Sequence, residues 1–228
     1  MLLSSIDIIP SSLNMAVSGG MNDNDEAVSV PRPYETILCG ERCIYLNLML
    51  LGDYNAGKTS FIRRFVEGTY AKTIATMGCD IYVKDVWIDN SEINLRLWDT
   101  YGGERYMGPR KSLYMFCHGV IIVYDVTDKP SFENIEKIWL RSVEESGFRD
   151  LVVVMVGTKC DLPGRQVDYV TAKSFADGLN IPLLETSSLT GYGIDRAAMS
   201  AATLALNKIL QNASSIKECF ETARQTNT

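Results

Sequence analysis

The sequence is poor in the residues that many functions need in number. It has one histidine, His118, among 228 residues. Its six cysteines are scattered, and only Cys39 and Cys43, in CGERC, stand close together. A zinc site would have to gather its four ligands from distant cysteines, so free thiols of a reducing cytosol are expected instead. His118 is read as a structural or surface residue, not a ligand. Lys and Arg number 22 against 28 Asp and Glu, a net charge of −6 with a pI near 4.9. That balance disfavours a sequence-independent grip on DNA or RNA, and simple attachment to an anionic leaflet. No apolar run approaches the roughly 20 residues of a membrane-spanning helix. The opening MLLSSIDIIPSSLNMAVSGG is broken by Asp7 and Pro10 and has no basic residue before it, which makes it a poor secretion signal.

What is present suits one ordinary domain with something left over. Residues 1–42 show no periodicity and are rich in Ser, Gly, Asn, Asp and Pro, so a flexible extension is expected there. From residue 43 to 211 the pattern is that of a folded domain, and 212–228 reads as a short polar tail. IYLNLMLL (Ile44 to Leu51) predicts a strand. In the SFIRRFVEG that follows, Phe61, Ile62, Phe65 and Val66 form one helical stripe, with Gly68 as its stop. IYVKDVWI and INLRLW predict a hairpin joined by DNSE at a sheet edge. VIIVYD and LVVVMVG are unbroken apolar runs, the signature of strands buried on both faces of a parallel sheet. Between them, Phe132, Ile135, Trp139 and Val143 recur at helical spacing. VTAKSFADGL predicts another helix, IPLLE a short last strand, and GIDRAAMSAATLALNKIL a closing helix. Strands and helices alternate, so the class is α/β with a mostly parallel sheet.

Chemistry-bearing motifs fall at the carboxyl ends of these strands, where such sheets bind ligands. GDYNAGKTS, Gly52 to Ser60, fits G-x-x-x-x-G-K-[ST], a loop whose backbone amides wrap nucleoside triphosphate. Tyr54, Asn55, Ala56, Gly57 and Ser60 complete that cradle. Lys58 can reach the β and γ phosphates, and Thr59 can offer its hydroxyl to Mg²⁺. In WDTYGGE, Asp99 can hold Mg²⁺ through water, and Gly102 lets its amide approach the γ phosphate. GTKCD supplies Thr158, Lys159 and Asp161. The Asp161 carboxylate matches two donors on the guanine edge, and adenine would leave it unpaired. Lys159 can lay its stem along the base. ETSSL offers backbone amides at Ser187, Ser188 and Leu189 to the guanine oxygen.

Over roughly Ile44 to Gln211 the chain resembles the Rab branch of the Ras-like small GTPases. GDYNAGKTS, RFVEGTY, TMGCD, LRLWDTYGGERY, IVYDVTDKPSFENI, GTKCDL and ETSS carry the resemblance. It implies a three-layer P-loop fold, with a six-stranded, mostly parallel sheet, one antiparallel edge strand and about five helices. It also implies GTP or GDP with Mg²⁺ as ligands, and two mobile loops read by protein effectors and regulators. By position, Thr76 resembles the threonine that closes the first loop over the metal, and Tyr70 the aromatic that covers the guanine. The metal set is then Thr59, Thr76 and Asp99.

The departures concern hydrolysis. Family members carry a water-orienting glutamine where this chain has Gly103, and small residues where it has Tyr54 and Tyr101. No side chain is an obvious catalytic substitute, so nucleotide binding with very slow GTP hydrolysis is expected. A slow GTP/GDP switch in vesicle traffic or signalling is one reading. A GTP-loaded scaffold that does not cycle is the other. The ending ECFETARQTNT has no C-a-a-X box, so membrane contact through partners is expected, not a direct lipid anchor.

Overall fold

The computed structural model describes residues 44–71, 76, 78–103, 113–148 and 151–226. The expected N-terminal extension, with Cys39 and Cys43, lies outside the described residues. Six strands form one sheet: β1 (Ile44–Leu51), β2 (Cys79–Ile88), β3 (Ser91–Thr100), β4 (Gly119–Asp125), β5 (Val152–Thr158) and β6 (Leu183–Glu185), in the order β2-β3-β1-β4-β5-β6. All neighbours are parallel except β2 with β3. The mostly parallel sheet with one antiparallel edge strand therefore matches the expectation from sequence.

The period of two along each strand explains the three layers. Every residue of β4 is buried. Ile121 and Val123 face one core with Leu46, Leu48 and Leu50, while Ile122 and Tyr124 face the other with Met49 and Leu51. The first core is covered by α1 (Lys58–Glu67) and by the closing helix α5 (Ile194–Thr226). Ala197, Ala198, Ala201, Ala202 and Ala205 form the buried face of α5, and their small side chains let the helix lie close to the sheet. The second core is covered by α2 (Lys129–Asn134), a π-helical segment (Ile135–Leu140) and α3 (Arg141–Glu145), which run on without a break, and by α4 (Tyr169–Gly178).

Three local details differ from the sequence pattern. The β2–β3 turn is two residues, not four: Asp89 and Asn90 both take positive φ (47° and 64°), and Ser91 and Glu92 already pair with Ile88 and Trp87. That is the tight primed turn, whose twist suits a hairpin. The closing helix also runs past Leu210 to Thr226, because no Gly or Pro interrupts NASSIKECFETARQT. Finally, the helix after β4 is not uniformly α-helical but π-helical from Ile135 to Leu140.

His118 is buried, and its Nδ1 accepts a hydrogen bond from the Asn47 amide (2.9 Å), a structural role at the start of β4. At the start of α4, one Asp168 carboxylate oxygen accepts from the Val170 and Thr171 amides (3.0 and 3.2 Å). Asp168→Ala is expected to lower stability by about 1 kcal/mol, a fall of roughly 2–4 °C in melting temperature. Thermal unfolding followed by circular dichroism checks it.

Candidate nucleotide site

The sheet order places β1 between β3 and β4, so the loop leaving β1 opens at the switch point of the sheet. Gly52 starts this loop at φ 144°, and a Cβ there would lie 2.1 Å from the Val123 carbonyl oxygen. Only glycine lets the chain pass so close to β4. The loop then tightens, with the Ala56 amide donating to the Asp53 carbonyl (3.2 Å), and enters α1 through Gly57 at φ 95°. No side chain caps α1. Its first amides and its positive dipole end therefore point at whatever the loop holds, which favours an anion. Lys58 is buried, and its ammonium bridges the loop by donating to the carbonyls of Gly52 (2.8 Å) and Asp53 (2.9 Å). Behind the loop, the Thr158 hydroxyl lies 2.6 Å from the Ala56 carbonyl and 3.0 Å from that of Tyr124. Thr158 thus straps the loop to the sheet.

Three separated segments bring oxygens to one point beside the loop. Thr59 Oγ1 donates to Asp99 Oδ2 at 2.6 Å, Thr76 Oγ1 donates to the same oxygen at 3.0 Å, and the two hydroxyls are 2.9 Å apart. Asp99 is fully buried, and its Oδ1 has no hydrogen-bond partner among the described residues. Burial pushes the Asp99 carboxyl above the ordinary range, against the pull of both threonines and of Lys58. A buried carboxylate with an idle oxygen is unfavourable by itself. Beside two hydroxyls it is a hard-oxygen donor set suited to Mg²⁺. The residues present therefore fit that ion.

The segment after β3 packs directly on the loop. A Cβ on Gly102 would lie 2.4 Å from the Tyr54 amide nitrogen. A Cβ on Gly103 would lie 2.2 Å from Cε1 of Tyr101, so the tyrosine ring fills the space where a side chain at 103 would begin. The rings of Tyr54 and Tyr70 are exposed.

At the far side, the loop after β5 turns at Lys159 (φ 59°), whose ammonium pairs with Asp125 at 2.6 Å. Asp161 is exposed and makes no hydrogen bond among the described residues, so its carboxylate is open to a ligand. After β6, Ser187 and Ser188 are buried and Leu189 is exposed. The Ser187 amide donates to Tyr192 O (2.9 Å), and Ser187 Oγ accepts from the Thr190 amide (3.1 Å). The Ser188 and Leu189 amides, without a backbone partner among the described residues, are the ones left for a base oxygen.

A sequence profile of the Ras family matches residues 47–207. The Ras-related protein Rab-1A of Dictyostelium discoideum is 39% identical over 164 residues, covering 71% of this chain and 81% of that protein. The chain belongs to the Ras family. Within it, the chain is Rab-like, a small GTPase of the GTP-binding switch type. Ras-family GTPases bind guanine nucleotides, generally with Mg²⁺, and are in general GTP hydrolases.

The site of this Ras-family chain includes acidic residues that motif reading passed over. Asp125 is the last residue of β4, as Asp99 is the last but one of β3, and that shared place at a carboxyl strand end is a signal for it in the sequence. It holds Lys159, and its other oxygen accepts from the Thr127 amide and hydroxyl (2.8 and 2.7 Å). Asp53 is the second, and its partners could not be read from sequence because they lie on an irregular helix. Removing one oxygen of the metal set tests the arrangement. Thr59→Ala is expected to weaken GTP binding in Mg²⁺ about ten- to hundredfold, and to match the parent protein in chelator. Titration calorimetry in both buffers measures this.

Proposed function

We propose that this chain is a slow GTP/GDP switch that works in vesicle traffic, reaching endomembranes from the cytoplasm through protein partners. The observation that carries the nucleotide reading is the meeting of Thr59, Thr76 and Asp99 beside an uncapped helix start crossed by Lys58. In this reading the loop from Tyr54 to Ser60 cradles the phosphates, and the Gly102 amide meets the γ phosphate. Tyr70, Lys159, Asp161, Ser188 and Leu189 enclose the guanine, while Ser187 and Thr158 hold the walls of the site. Mg²⁺ held by the three oxygens would screen the charge of the β and γ phosphates. Among the described residues Thr76 is held at the rim, half-buried, through its hydroxyl, so in this reading the first mobile loop can report which nucleotide is present. No helix among the described residues is long and apolar enough to cross a membrane.

Slow hydrolysis follows from what stands at the attack position. Phosphoryl transfer depends on positioning and electrostatics, and a glutamine that orients water is a large part of what a protein adds. Gly103 offers no such group, and the Tyr101 ring takes the adjoining space. Tyr54, 62% exposed at the mouth of the loop, narrows the path for an arginine from an activating partner. Unassisted turnover at or below about 10⁻⁴ s⁻¹ is expected, a GTP half-life of about two hours or more.

Single-turnover loss of GTP in Mg²⁺, followed by chromatography, tests this. Complete conversion within minutes contradicts slow hydrolysis. GTP unchanged after a day contradicts the cycling switch and leaves a GTP-loaded scaffold. A companion pair of variants isolates the cause. Gly103→Gln alone is expected to leave the rate within about threefold, because its Cβ meets the Tyr101 ring. Tyr101→Ala/Gly103→Gln is expected to raise it at least about tenfold.

A further inference from the structure

Asp53 is unexpected by charge: a carboxylate in a loop built to hold a polyanion. Its two oxygens are both taken from one side. Oδ2 accepts from Nδ2 of Asn134 at 2.6 Å, and Oδ1 accepts from Nε1 of Trp139 at 2.7 Å. Trp139 is buried. The two donors are five residues apart. At 3.6 residues per turn, an α-helix would set them roughly 140° apart around its axis, aimed at different places. A π-helical turn bonds i to i+5 and so brings such a pair onto one face. The chain is π-helical from Ile135 to Leu140, just where both donors are needed.

Asp53 is also the residue whose carbonyl accepts from Lys58 Nζ (2.9 Å) and from the Ala56 amide (3.2 Å). One residue thus joins the π turn, on its side-chain oxygens, to the ammonium and the loop closure, on its main chain. A loop alone can sample several shapes, and each costs entropy to fix at the moment of binding. A loop pinned at Asp53 is already fixed.

We infer that Asn134 and Trp139 are positioning residues for the nucleotide: through Asp53 they hold the phosphate loop in its binding shape, and the π register of the helix after β4 sets how long a nucleoside diphosphate or triphosphate stays bound. This inference rests on the reading of the loop as a phosphate site.

The test is the release rate of a fluorescent GDP analogue from the full chain in Mg²⁺. Asn134→Ala, which removes one donor without touching the core, is expected to speed release about tenfold. Trp139→Phe, which keeps the ring packing but loses the N–H, is expected to do the same. In an Asp53→Ala background, adding either change is expected to leave release unaltered, because the shared acceptor is gone. A purely structural role would instead lower melting temperature in both backgrounds and leave release alone. The inference is overturned if Asn134→Ala releases the analogue at the parent rate, or if its effect persists undiminished without Asp53. Failure of the parent chain to bind the analogue at all overturns the phosphate-site reading, and the inference falls with it. Normal binding with insensitive release overturns the inference alone.

Discussion

Everything at the rim of this sheet is arranged around one buried carboxylate. Asp99 lies one residue before the end of β3 inside the protein, where its charge is poorly solvated, and two threonine hydroxyls from separate chain segments turn their protons to it. Two neutral hydrogen bonds on one oxygen do not satisfy a buried anion whose other oxygen is idle. The arrangement makes chemical sense as the protein half of a coordination site, completed by a cation and the phosphates it escorts. Thr76 brings the segment before β2 to this site, and Gly102 brings the segment after β3 against the loop that leaves β1.

The scaffold explains how such a rim is held. Parallel strands buried on both faces fix the strand ends within the sheet, and the strand order leaves an opening after β1. Close approach does the rest. Gly52 passes against Val123, Gly102 lies against the Tyr54 amide, and Thr158 straps the loop from below. Asp53 adds a lateral tether to the helix after β4. The phosphate loop is therefore restrained on several sides before any ligand arrives, which lowers the entropy lost on binding.

Much of this was legible in the sequence, for physical reasons that differ from part to part. Strands such as VIIVYD announce themselves because burial on two faces demands an unbroken apolar run. The loop GDYNAGKTS is legible because glycines and a lysine at fixed spacing answer to a geometry set by phosphate. Asp99 was readable as a strand-end acid, and its meeting with Thr59 and Thr76 is a tertiary fact that spacing could only imply. The Asp53 tether was not readable, since Asn134 and Trp139 fall on different faces of any regular α-helix. The placement of the Tyr101 ring against Gly103 was also hidden, because sequence spacing does not say where an aromatic side chain lies. The two-residue turn at Asp89 and Asn90 was missed because Ser91 and Glu92 look like turn residues until their pairing partners are known.

In the proposed reading, holding a nucleotide and cleaving it are thus separable in this Ras-family chain. Thr59, Thr76 and Asp99 meet at one point, whereas Gly103 carries no side chain and the Tyr101 ring lies against it. The measurement that bears most directly on the central claim is calorimetric titration of the nucleotide-free chain with GTP and with ATP, each with Mg²⁺ and with chelator. GTP binding at least about a hundredfold tighter than ATP, and weakening when Mg²⁺ is removed, is the predicted result. Equal affinity for the two bases, or affinity indifferent to Mg²⁺, would contradict the account.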